Sequence, residues 1–178
     1  MVVLSQLFFG EEESGTDSFF VLRRGVARVA IGLGVLAENV TPIVEGLGFR
    51  VVELNTAIVS GRTHVTLVIY SGAGVGIDDC AAVHRTVLPR IEVLMNDRDV
   101  ALQVASPGVD RVLKDWHEFE IFTGRGVRVL RRGEEEWTSG VVRKAGDQEM
   151  ELDGPSGVTV VRYAEIQKAK LDYTQEVR

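Results

Sequence analysis

The sequence predicts an α+β protein in two parts: an N-terminal α/β domain with the order α-β-β-α-β, two helices on a small sheet, and then a small β-barrel. Three observations carry this. Apolar residues recur at helical spacing in residues 26–47 and 79–95. The runs 49–55, 63–70 and 100–105 are rich in β-branched or alternating apolar residues, the pattern of strands. From residue 126 onward, five short strand-like runs alternate with turns, the spacing of a small barrel that closes its edges on itself.

A chain of 178 residues suits one large or two small domains, and 45% hydrophobic with 26% charged residues is enough to build real cores. One cysteine excludes an internal disulfide framework and fits a reducing, cytoplasmic setting. The net charge of −6 argues against a general nucleic-acid binder, which neutralises phosphates with an excess of Lys and Arg. The acidity is uneven: residues 1–110 hold 8 Lys+Arg against 13 Asp+Glu, and the remainder 12 against 13. An acidic face suits a basic protein partner better than naked RNA.

The opening MVVLSQLFF is apolar but has no basic lead and runs into Glu11-Glu12-Glu13, the wrong charge order for a secretory signal. The apolar run 26–37 contains Arg28 and falls short of the roughly 20 residues a spanning helix needs. No membrane segment is therefore expected. Residues 1–25 read as an extension, either disordered or loosely docked, or as chain upstream of the true start.

Val29, Leu33, Leu36, Val40, Ile43, Val44 and Leu47 define the first helical stripe, Gly48 ends it, and Pro42 is a kink or a break. Gly32 and Gly34 lack the Lys-Ser/Thr or full glycine fingerprint of a phosphate loop. Ser60-Gly61 can turn a hairpin between the next two strands. The glycine-rich stretch 71–76 leads into a helix whose first turn carries Asp78 and Asp79; these suit the helix dipole but repel a phosphate. Cys80 and His84 share a face of that helix, yet a metal needs two more ligands, and none has partner spacing. Pro89 is expected to kink the helix.

Val100, Leu102 and Val104 give the third strand one buried face. Ser106-Pro107-Gly108 stops it, with Gly108 suited to the positive φ of a type II turn and Asp110-Arg111 placed to brace that turn. Asp115 with Glu118 is a capping-box-like start to a short helix that Gly124 ends. The seam between the parts falls near residue 112, dividing the chain into 1–25, 26–111 and 112–178. Strands are expected at 126–130, 137–144, 149–152, 158–162 and 166–171, with a single turn at 163–165 and a mobile tail from 172.

The order of pieces and four motifs resemble the RimP family of bacterial ribosome maturation factors. The motifs are IDDC at 77–80, SPGVDRVL at 106–113, WHEF at 116–119 followed by FTGR at 122–125, and IQKAKL at 166–171. The likeness covers about residues 35–171. It implies an N-terminal α/β domain and a C-terminal Sm-like or SH3-like barrel. It also implies a non-enzymatic role in assembling the small ribosomal subunit, through small-subunit ribosomal protein twelve and nearby rRNA. Two departures stand out: Val112 replaces the family's proline after the arginine, and the first thirty residues have no family counterpart.

The residues themselves offer no catalytic constellation, no cofactor site and no metal site. Candidate partner-binding residues are Asp110 and Arg111 at the seam, which equally fit a bracing role, and the barrel cations Arg125, Arg128, Arg131, Arg132, Arg143 and Lys144. Hairpin pairing is expected to bring 128–132 near 143–144, and such a patch equally fits a solvated edge guarded by cations. The leading expectation is a monomeric cytoplasmic assembly factor that binds the small subunit. A stand-alone RNA-binding module is the alternative. A nucleotide enzyme, with only glycines 72–76 in its favour, stands third.

Overall fold

The structure, a computed structural model, describes residues 32–176. The N-terminal extension, the expected helical residues 26–31 and the last two residues lie outside the described part.

Helix α1 (Leu33–Gly46) and helix α2 (Ile77–Met95) pack on one face of a three-stranded sheet made of β1 (Arg50–Val59), β2 (Arg62–Tyr70) and β3 (Val100–Ala105), in the order β1-β2-β3. β1 and β2 are antiparallel, and Ser60 at φ 51° with Gly61 at φ 80° forms the two-residue turn whose twist matches the strands. β3 runs parallel to β2, with α2 as the crossover. Leu36, Val40 and Val44 of α1 meet Val83, Val87 and Ile91 of α2 over the inward side chains of β1 and β2. Neither Pro42 nor Pro89 breaks its helix, because buried residues on both sides of each ring tie the two halves to the same core.

The joint differs from expectation. Gly108 does not adopt the left-handed region, and the turn falls two residues later, with Arg111 N–H donating to the Gly108 carbonyl at 3.1 Å. After it come β4 (Val112–Leu113), α3 (Trp116–Ile121), β5 (Gly126–Arg131), β6 (Trp137–Ala145), β7 (Glu149–Gly154), β8 (Gly157–Arg162) and β9 (Ile166–Leu171). The second sheet has the order β4-β9-β5-β6-β7-β8.

The expected closed, Sm-like or SH3-like barrel is not formed: no ladder joins the outer strands β4 and β8. β4 pairs over only Val112↔Lys170 and Leu113↔Ala169 before the chain leaves to enter α3, so it is too short to seal the sheet. The sheet nevertheless encloses a core of Phe119, Phe122, Val127, Val142, Met150 and Leu152. β6 and β7 cross so closely that a Cβ on Gly140 would lie 2.8 Å from the Asp153 carbonyl oxygen. The C-terminal residues are docked through Glu176: Tyr173–Glu176 forms a 3-10 turn laid against Gly126, where a Cβ would meet the Asp172 carbonyl oxygen.

Candidate interface at the seam

Arg111 sits where the two sheets meet. Its guanidinium forks onto Glu118 of α3, Nε to Oε2 at 3.1 Å and Nη2 to Oε1 at 2.8 Å, and Nη2 also reaches Glu53 of β1 at 2.5 Å. The Arg111 and Glu118 side chains are only 11% and 5% exposed, so this triad is buried. α3 is oriented for it because Asp115 caps the helix, its carboxylate accepting from Glu118 N–H at 3.1 Å, while the Glu118 side chain turns away to Arg111. Glu53 further accepts from Asn55 and pairs with Lys114 at 3.2 Å. Burial pushes the Glu53 carboxyl up, but the hydrogen bonds from Arg111 and Lys114 outweigh it and hold the group below its ordinary value.

Arg125 is a second clamp. It donates to the Tyr70 hydroxyl at 2.7 Å, the Gly72 carbonyl at 2.8 Å and Glu176 at 2.7 Å, tying the end of β2 to both β5 and the C-terminal turn. The bond to Tyr70, then that to Glu176, raises its pKa further above the ordinary range. Beneath it Tyr70 meets Phe122 edge-on, with ring centroids 4.9 Å apart, so the seam is packed as well as ion-paired.

The other candidates fall in different places. Asp110 is exposed and pairs with Lys170 at 3.4 Å rather than with Arg111. Arg128 lies over the Trp137 ring at 5.3 Å on the outer face of the second sheet, opposite Ser139 and Lys170. Arg131 pairs with Glu134 at 3.7 Å, and exposed Arg132 approaches the Ile166 carbonyl at 3.4 Å. Arg143 and Lys144 are exposed but at the far end of the hairpin: Gly126 pairs with Val141 and Leu130 with Trp137, so residues 143–144 lie beyond the start of β5. The expected joining of 128–132 with 143–144 therefore does not occur. In its place β9 brings Lys168 opposite Leu130 and Lys170 opposite Arg128. The alternation in IQKAKL was the available sign that both lysines share the outer face.

Among the described residues no group of three or more His, Cys, Asp or Glu is placed to hold a metal, and no helix is long and apolar enough to cross a membrane. Cys80 is a half-buried thiol whose pKa burial pushes up, away from a reactive thiolate.

The arrangement defines a two-sheet α+β protein whose halves are joined by buried arginine clamps. Residues 39–110 match the RimP N-terminal domain model. Two curated relatives named ribosome maturation factor RimP, from Borrelia hermsii strain HS1/DAH and Borrelia turicatae strain 91E135, are 29% and 27% identical over 136 residues. Each alignment spans 76% of this chain and 91% of the relative. The chain is thus similar to the RimP family, through the N-terminal domain model and through these two relatives.

Proposed function

We propose that this protein is a non-enzymatic, cytoplasmic ribosome maturation factor that assists assembly of the small (30S) subunit by binding it through a ribosomal protein and nearby rRNA. The observation that supports it best is family likeness over 136 residues to two proteins named as ribosome maturation factors. The structure adds that two largely buried cations, Arg111 and Arg125, are engaged in joining the two sheets. Their role in this reading is to hold a composite surface in shape. We place the boundary between a first domain and a second after residue 111, one residue beyond the family match. Exposed Asp110 lies beside that boundary, and Arg128, Arg131 and Arg132, with Lys168, are the residues offered to rRNA phosphates.

Co-sedimentation of the full chain with free small subunits, mature subunits and whole ribosomes, at low and physiological salt, tests this. Selective binding to free or immature small subunits supports it, and absence of binding to all three overturns it. The stand-alone RNA-binding reading is favoured by one observation, the Arg128–Trp137 pair beside Lys168 and Lys170. Tight gel-shift binding of a plain RNA at physiological salt would put it first.

A further inference from the structure

Among the described residues β8 is an outer strand: it pairs with β7 and with no other strand there. Natural sheets usually guard such an edge with lysine, proline or a bulge. β8 reads Gly-Val-Thr-Val-Val-Arg, and its only charge, Arg162, is at the end, 4.0 Å from Glu149. Val158 and Val160 are 46% and 53% exposed, while Val161 is buried, so the two valines stand together on the outer face.

The backbone parity is set by the ladder. A two-residue turn closes Gly154 on Gly157, and Tyr163 N–H donates to the Gln148 carbonyl at 2.9 Å. In antiparallel pairing the hydrogen-bonded residues alternate, so residues 157, 159 and 161 turn their N–H and C=O groups toward β7. Those of Val158, Val160 and Arg162 therefore face the open edge. On the same outer face β7 presents Glu149, Glu151 and Asp153, opposite Arg162, Val160 and Val158. The surface thus offers free backbone groups, two bare valines and three carboxylates at alternate positions.

We propose that β8 is a strand-addition site for an extended, lysine- or arginine-rich polypeptide segment. The segment pairs its backbone with Val158, Val160 and Arg162, lays the aliphatic stems of its alternate lysines or arginines across the valines, and directs their charged ends to Glu149, Glu151 and Asp153 on the same face. The proposal rests on the assembly reading above only for the source of the segment, a protein of the small subunit.

The test uses the full chain and a capped heptapeptide of alternating lysine and valine, with an alternating glutamate and valine peptide as control. Residue-level amide exchange is followed by NMR. Slowed exchange at Val158, Val160 and Arg162 with the lysine peptide alone is the expected result. Val160→Pro removes one outward N–H without touching the β7 ladder and should weaken binding about three- to tenfold, the worth of one hydrogen bond. Should that variant fail to fold, the double variant Glu151→Lys/Asp153→Lys, whose side chains lie outside the core, should abolish the preference for the lysine peptide. Equal response to both peptides, no response, or changes confined to β1, β3 or β4 would overturn the proposal. So would slowed exchange that rises with protein concentration alone, since a second copy would then occupy the edge. Unchanged co-sedimentation of Val160→Pro with small subunits, together with no peptide response, removes this site and leaves the assembly role standing. A clear peptide response from a chain that binds no subunit does the reverse.

Discussion

Arg111→Ala probes the seam most sharply. The substitution leaves Glu118, 5% exposed, without its bidentate partner and leaves Glu53 with Lys114 and Asn55 only. Removing one member of a buried ion pair costs about 3–5 kcal/mol, because the remaining charge stays desolvated. Glu53 is the more exposed carboxylate, at 20%, and keeps two partners, so the lower end, about 3 kcal/mol, applies. At roughly 2–4 °C per kcal/mol for a chain of this size, the midpoint should fall by about 6–12 °C. Urea unfolding should show the loss as a lower midpoint with unchanged slope. Arg111→Met combined with Glu118→Gln should recover most of it, since no buried charge is then stranded. A loss in Arg111→Ala below about 1 kcal/mol, or a double variant as unstable as the sum of the singles, would refute the claim that the triad is a buried unit.

Glu53 is held below its ordinary carboxyl value, so its contribution is present at neutral pH and is lost as pH falls through the depressed folded value. Acid unfolding of wild type should therefore be steeper below about pH 4.5 than that of Glu53→Gln. Tyr163 moves the other way: burial first, then Asp147 and Glu120, push its hydroxyl up to about 12 from 10.0. Stability should hold below pH 10.0 and fall as pH rises toward 12, a loss that Tyr163→Phe removes in an alkaline melting series. Gly126→Ala drives a Cβ to 2.2 Å from the Asp172 carbonyl oxygen and should cost about 1–3 kcal/mol by displacing the C-terminal turn, read by thermal melting and by faster exchange at residues 173–176. Phe122→Ala empties a fully buried site that also backs Tyr70 and should cost about 3–5 kcal/mol in urea unfolding.

Much of the fold was legible because local chemistry and tertiary structure agree. The Ser60-Gly61 turn, the acidic start of α2 and the Asp115 cap of α3 each satisfy backbone groups within a few residues, so their positions show in the chain. β4 escaped notice because two residues carry no period, and the open second sheet followed from that shortness. The ends of β1 and the docked C-terminal turn were likewise set by tertiary contacts: Val59 belongs to β1 through its pairing with Arg62, and Glu176 is held by Arg125. Site chemistry was the least legible. Arg111 looked placed to brace its own turn, yet its partner Glu53 lies 58 residues earlier, on a strand whose approach depends on how the two sheets pack. The basic hairpin misled for a related reason, since sequence closeness did not reveal that the register sets Arg143 and Lys144 at the far end and that β9 supplies Lys168 and Lys170.

The most direct measurement is the ribosome profile of cells that lack this protein, with and without a plasmid copy of the full chain. The assembly reading predicts that free small subunits carrying unprocessed rRNA accumulate without it, that wild type restores the profile, and that Arg111→Ala restores it less well at the same protein level. A profile unchanged by loss of the protein would contradict the account.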